Sequence, residues 1–360
     1  MRVLLIILLL TVGVIFSSHG QNIDDKKIDS VTEVNDTIIK KPKKKTNLLP
    51  IAIPITEPAV GIGIVLSGLY FVPNKDTTET QDLAVLAAGY TSNKSWLAGG
   101  QYQGYWKHDH IRYTGTIGYG VANLEYYAFG EKPINFQQRF AIIMQQLLFR
   151  LGDSNFFLGG NLKFSKVTIP IVLGDFDFDD FEFYNNGISA VVQYDDLDNY
   201  LSPTDGKKIH LGYTQFMEVL GTKRNWGKMS FYAWYYKTIS EKWIPGYRFE
   251  SFYATGKPPF YAKPYIRMRG IPALRYQGNL TALLETEQLY HFKPRWGALV
   301  FAGVGGVFEA ANEEIQNEFV WAFGFGGRYL ALKSMGVKLG IDIARGPEEW
   351  AYYATVGKAW

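Results

Sequence analysis

The first candidates for acid–base chemistry in this chain are His108, His110, His210 and His291. The chain contains no cysteine, and its fifth histidine, His19, ends an apolar first segment. Imidazole is the side chain whose ordinary pKa lies nearest neutrality. His108 and His110 bracket Asp109 in a short polar turn, where two imidazoles fall short of a metal-ligand set. His210 and His291 lie in segments patterned as strands, with no serine that spacing obliges to pair with them. No enzyme activity, cofactor or metal centre is expected. Carboxylates cluster at Asp175, Asp177, Asp179 and Asp180. Their alternation in an outward loop suits weak cation binding or bridging to lipopolysaccharide cations, but phenylalanines stand where a tight calcium loop needs glycine.

The elements that must position these residues read as strands. From Leu48 onward the chain alternates with period two over segments of ten to fourteen residues, separated by short polar turns. In 96–106, Trp96, Ala98, Gly100, Tyr102, Gly104 and Trp106 share one face, with Gln101 and Gln103 on the other. In 111–119, Ile111, Tyr113, Gly115, Ile117 and Tyr119 oppose Arg112, Thr114, Thr116 and Gly118. In the final segment, 349–360, Trp350, Tyr352, Ala354 and Val356 line one face, and Trp360 ends the strand on an aromatic residue. Soluble strands average about five or six residues, whereas strands crossing a bilayer need about nine to eleven. Aromatic residues are 16% of the chain and gather at segment ends, as an interfacial girdle requires. Backbone amides in lipid must all be paired, and a closed sheet achieves this without helices. The fold class is therefore all-β, a transmembrane antiparallel β-barrel.

Segments fall at 349–360, 336–344, 318–331, 296–308, 280–292, 247–254, 227–239, 208–216, 187–194, 155–167, 136–150, 111–121, 95–107, 82–90 and 59–72. That odd number needs a partner, because single-chain bacterial barrels have even counts. Residues 48–55 supply a sixteenth, edge-like first strand despite Pro50 and Pro54, and fourteen is the alternative. Turns at 152–154, 293–295 and 333–335 are placed on the periplasmic side, with longer connections at 123–135, 170–186 and 255–279 facing outward.

Residues 1–20 have the basic, apolar, small-residue order of a secretory signal, Arg2 preceding the run 3–16 and Gly20 the cleavage point. That run is short for a membrane span. Residues 21–47 are polar and end in Lys40, Lys41 and Lys43 to Lys45, a flexible periplasmic leader to a barrel of 48–360. The net charge of +3, without a clustered basic face, excludes a nucleic-acid partner. Zero cysteines leave packing and backbone hydrogen bonds as the stabilising forces.

One connection stands out. Residues 256–279 carry four prolines and no secondary-structure period, and a long loop of that kind in a compact fold is usually functional. Its stretch Ile266-Arg267-Met268-Arg269-Gly270-Ile271, followed by a strand bearing Glu285 and Glu287, resembles the inward-folded loop of the BamA/TamA (bacterial surface antigen) superfamily. The resemblance implies that the Arg269-Gly270-Ile271 motif lies in the lumen, with Arg269 bonded to an acid of the inner wall. Glu287 is the first candidate partner and Glu285 the second. Glu57-Pro58 with Gly61 and Gly63 is similar to the opening strand of superfamily members lacking POTRA domains. Asp195-Asp196-Leu197-Asp198-Asn199 with Pro203 and Gly206 is similar to a periplasmic turn of the family, with Leu197 in place of its usual Arg. In 296–307, Gly303 stands in place of the customary acid.

The resemblance implies a short-form barrel that assists outer-membrane protein assembly or translocates protein or lipid. Its partners would be outer-membrane lipid and lipopolysaccharide, assembly components or periplasmic proteins. The alternative is a passive pore or a scaffold docking a partner.

Overall fold

The computed structural model describes residues 47–57, 61–73, 81–126, 134–173, 176–199, 202–310, 317–332, 336–358 and Trp360. The expected signal segment, nearly all of the leader and the 333–335 turn lie outside the described residues. The first strands are β1 (Leu48–Glu57), β2 (Gly61–Phe71), β3 (Leu83–Thr91), β4 (Trp96–Trp106), β5 (Ile111–Tyr126) and β6 (Ile134–Arg150). The middle of the chain gives β7 (Phe156–Leu173), β8 (Phe176–Tyr184), β9 (Gly187–Asp195), β10 (Gly206–Phe216), β11 (Trp226–Tyr236) and β12 (Trp243–Gly256). The last five are β13 (Gly278–Lys293), β14 (Trp296–Ala310), β15 (Glu318–Leu332), β16 (Val337–Arg345) and β17 (Trp350–Val356).

These segments make sixteen staves of a nearly closed antiparallel barrel. The near half of β7 pairs with β9, from Phe156↔Tyr194 to Lys163↔Gly187, and its far half with β8, from Lys166↔Tyr184 to Leu173↔Phe176. β8 and β9 are thus one stave interrupted at Asn185 and Asn186. Side chains replace the ladder there: the Ser165 N–H donates to Asn186 Oδ1 at 3.0 Å, and the Asn186 N–H donates to Thr222 Oγ1 at 2.9 Å. The expected outward loop 170–186 is therefore mostly sheet. Asp177, Asp179 and Asp180 lie in β8, while Asp175 is outside the described residues. A sheet ladder leaves the backbone extended and unable to wrap a cation, which removes the loop geometry expected for these carboxylates. The 123–135 connection is shorter than expected too, because β5 and β6 stay paired out to Tyr126↔Ile134.

Alternation divides the sheet into an apolar outer face and a buried interior. On β2 the outward Ile62, Ile64 and Leu66 are 72%, 48% and 60% exposed while Val65 is fully buried. Such an apolar exterior in a closed sheet is a lipid-facing surface. Among the described residues no helix is long and apolar enough to cross a membrane.

Closure is incomplete at one place. β17 runs beside β1, but among the described residues no hydrogen-bonded register joins them. The Phe71 N–H donates to Asn47 O at 2.9 Å, in register with the β1–β2 ladder. Hydrogen-bonded pairs alternate along an antiparallel ladder, so Leu49, Ile51 and Ile53 spend their backbone groups on β2. Those of Leu48, Pro50, Ala52, Pro54 and Thr56 point toward β17. Both prolines thus withhold a donor from the open edge. By the same alternation, the Gly357 N–H donating to Lys338 O at 2.7 Å turns the backbone groups of Trp350, Tyr352, Ala354 and Val356 toward β1.

Candidate functional site: the β12–β13 loop and the interior wall

The 257–277 connection between β12 and β13 packs against the buried face of β13–β17 and, through Tyr261, Tyr265, Ala273 and Leu274, against Val65, Leu97, Ala122, Phe140 and Val167 of the opposite strands. Its Ile266, Met268 and Ile271 are each at most 3% exposed and cluster with Leu283, Val307, Val320 and Ala322. Four prolines and a Phe260–Ala262 3-10 turn leave this stretch with a single antiparallel bridge, Tyr265↔Gln277, as its own backbone pairing, so side-chain packing supplies most of its order. The wall makes room with small residues. A Cβ at Gly303 would lie 2.5 Å from Met268 Sδ, and one at Gly305 would lie 3.0 Å from Ile266 Cδ1. The departure at Gly303 therefore has a local cause: a side chain there would take the space that Met268 fills.

Arg269 is held by three carboxylates. Its Nη2 donates to Glu285 Oε1 at 2.7 Å and Nε to the same oxygen at 3.2 Å. Nη1 donates to Asp342 Oδ2 at 2.7 Å, and Nη2 approaches Glu287 Oε2 at 3.3 Å. Its Cζ sits 3.6 Å from the Phe301 ring centroid. Burial alone would lower the Arg269 pKa, but Glu285, Glu287 and Asp342 outweigh it and hold the guanidinium above its usual value. The network extends outward from there. Arg328 donates to both oxygens of Asp342, and Arg248 donates to Glu285 Oε2 at 2.5 Å and to Glu250 Oε1 at 3.3 Å. Arg267 donates to Glu250 Oε2 at 3.0 Å. Charges buried this completely persist only when paired and hydrogen-bonded on several sides.

Gly270 follows with φ +86°, a conformation L side chains rarely adopt, and a Cβ there would lie 3.0 Å from Gly346 N. Its N–H donates to the Tyr353 hydroxyl at 2.9 Å. The loop is thus fastened to β17, one of the two seam strands.

The structure brings Arg269 to Glu285 and Glu287 together, with Glu285 the nearer partner, which reverses the expected order. Asp342 was not singled out from the sequence. Its signal is a lone carboxylate between Ile341 and Ile343 on the interior parity of β16, where Ile341 is 69% exposed and Asp342 is fully buried.

Trp360 corrects another expectation. β17 ends at Val356, Gly357 turns at φ +80°, and Trp360 is 3% exposed. Its ring lies 6.3 Å from Tyr236 and carries Arg248 at 5.2 Å and Arg269 at 5.5 Å. The aromatic end therefore belongs to the interior and not to a lipid-facing girdle. Leu197, in place of the family's usual Arg, is 1% exposed in the same cluster with Tyr232, Trp234 and Tyr236. An indole fills the space beside Leu197, and a guanidinium there would need a carboxylate instead.

A second ionic cluster occupies the end of the barrel that carries the short turns. Arg112 donates to both oxygens of Asp109 at 2.6 Å and to Asp195 Oδ2 at 2.8 Å. Lys208 lies 3.4 Å from Asp195, and Arg150 also bonds Asp109. The histidines show no catalytic grouping among the described residues. His210 stacks on Tyr232 at 4.4 Å, and His110 Nδ1 lies 2.9 Å from Lys107 O in its turn.

These observations define the class: a sixteen-stave membrane barrel with an ionically anchored interior loop and, among the described residues, an unzipped first–last seam. Solved barrels resemble it. BamA from Haemophilus ducreyi lacking POTRA domains 1-3 superposes with a TM-score of 0.60 at 11% identity, over 87% of this chain and 70% of that one. CdiB from Escherichia coli matches with a TM-score of 0.60 at 12% identity, over 86% of this chain and 62% of that one. CdiB from Acinetobacter baumannii gives 0.60 at 11%, over 86% and 59%. The chain shares their fold, and it spans roughly three-fifths of the length of the CdiB chains. No family model matches, and no curated protein matches.

Proposed function

We propose that this chain is a non-enzymatic outer-membrane barrel of the BamA/TamA kind that assists assembly of outer-membrane proteins or translocation of protein or lipid. It works at the β1–β17 seam. The observation that carries this reading is the pair Pro50 and Pro54, both turned so that the donors they lack are those β17 would use. An edge with unpaired backbone groups is a template for another strand, and a closed storage or scaffold barrel has no use for one. The packed 257–277 loop supports the same reading, because its side chains occupy interior space that a passive pore would leave to water.

Absence of native cysteine makes the test clean. Cysteine pairs placed at 50, 52 or 54 and at 352, 354 or 356 should include one that oxidises and locks the seam. A strain carrying the locked chain should lose the same outer-membrane proteins or lipids as a depleted strain, and reduction should restore them. If locking leaves the census of outer-membrane proteins and lipids unchanged while depletion alters it, the seam reading is wrong. Large, steady single-channel currents from the purified barrel would instead favour a pore.

A further inference from the structure

Away from Arg269, the interior wall carries two cations that meet no carboxylate among the described residues. Lys163 of β7 and Lys228 of β11 both sit on the interior parity of their strands, each half-buried. Their ammonium groups rest on rings instead of on acids. Lys163 Nζ is 5.5 Å from the Phe216 ring centroid and Lys228 Nζ is 5.2 Å from that of Phe252. The loop brings a third cation to the same ring, with Arg267 Cζ 4.2 Å from the Phe252 centroid. The charges of Arg267 and Lys163 both bear on Lys228. Glu250, the acid paired with Arg267, is shared with Arg248.

The ladders add neutral donors beside these cations. Asn161 pairs with Ser189, Ser189 with Thr214 and Thr214 with Lys228, one interior row across β7, β9, β10 and β11. Lys163 lies one interior position along β7 from Asn161. Ser189 Oγ and Thr214 Oγ1 are 2.7 Å apart. Like charges gathered in a wall shielded from bulk water repel one another, and aromatic faces offset only part of that. Ammonium, guanidinium and hydroxyl donors converging on one space are the constituents of an oxyanion site.

We propose that Lys163, Lys228 and Arg267, with the hydroxyls of Ser189 and Thr214, form an internal binding site for a phosphate-type oxyanion, supplied free or as the head group of a phospholipid. The anion would bridge the loop, through Arg267, to the wall facing away from Arg269. The inference does not depend on the function proposed for the seam.

The full chain, refolded in a maltoside detergent with chloride as the only other anion, would be titrated with inorganic phosphate and, separately, with short-chain phosphatidic acid. Binding would be read by calorimetry and by phosphorus-31 line broadening. Lys163→Met and Lys228→Met should each weaken binding by about tenfold or more, as loss of a charge-assisted contact does. Lys207→Met, on the exposed side of β10, should not. Heat-modifiable gel migration reports folding. Should a methionine variant misfold, Lys228→Gln and a wild-type measurement replace it: phosphate must raise the unfolding temperature more than chloride at equal ionic strength. Binding in both arms assigns the site to free oxyanion chemistry, and binding of the lipid alone assigns it to a head group. No binding in either arm, or undiminished binding by folded Lys228→Met, overturns the proposal.

Discussion

Two stretches of interior wall solve the problem of buried polarity differently. At mid-height on β4 and β5, beyond the Arg112 cluster, it is neutral: Gln101 Nε2 donates to Thr116 Oγ1 at 3.1 Å, and Gln103 Nε2 donates to Gln101 Oε1 at 2.8 Å. Along β12–β16 it is ionic, with Arg248, Glu285, Glu287, Arg328 and Asp342 all at most 8% exposed. Amides and hydroxyls can satisfy one another or water without a partner of opposite charge. Glu285 and Asp342 are each shared between wall arginines and Arg269, so the ionic wall is complete only when the loop lies against it. Both walls touch the loop, but Leu97 and Ala122 meet it through apolar packing whereas the charged wall meets it through shared ion pairs.

The largest effect should come from taking a shared carboxylate out of the charged wall. Asp342→Ala strands parts of both Arg269 and Arg328 and should destabilise the folded barrel by about 3–5 kcal/mol, measured by urea unfolding in detergent. A cost no larger than that of a neutral-wall substitution would refute the contrast. Next comes the space the wall leaves for the loop. Gly303→Ala should cost about 1–3 kcal/mol by overpacking, and Met268→Ala in the same background should recover part of it in a double-mutant cycle. Smaller still is the seam: Pro50→Ala with Pro54→Ala supplies two donors and should strengthen closure by about 0.5–1.5 kcal/mol per bond formed. Slower hydrogen exchange of β17 amides would register it. The smallest effect belongs to the neutral wall, where Thr116→Val removes one partner of Gln101 and should change unfolding by about 1 kcal/mol at most. Proteolysis within 257–277 should be unaltered by that change and accelerated by Asp342→Ala.

The fifteen segments read from period-two alternation, and the proline-bearing 48–55 added to make the count even, all correspond to staves, because a strand with lipid on one side and interior on the other writes its geometry into every second residue. Strand ends were less legible: β7 and β8 continue through residues rich in Pro, Asp and Phe because each supplies the other's ladder beyond the apolar belt. Arg269, Glu285 and Glu287 were legible as a group. Asp342 was hidden, since it lies 73 residues from Arg269 in sequence and only barrel curvature makes them neighbours. The final strand, expected to run to Trp360, ends at Val356, because the chain turns at Gly357 and the Trp360 ring packs in the interior.

Sequence alone determined which residues of each strand share a face, narrowed the staves to sixteen or fourteen, and showed that Pro50 and Pro54 break the donor pattern of the first one. These follow from local periodicity and covalent structure. Tertiary structure decided that the prolines' missing donors face β17, that Glu285 and Asp342 converge on Arg269, and that Trp360 turns inward. Each of those depends on register and on curvature of the closed sheet, which bring together groups that no spacing along the chain relates.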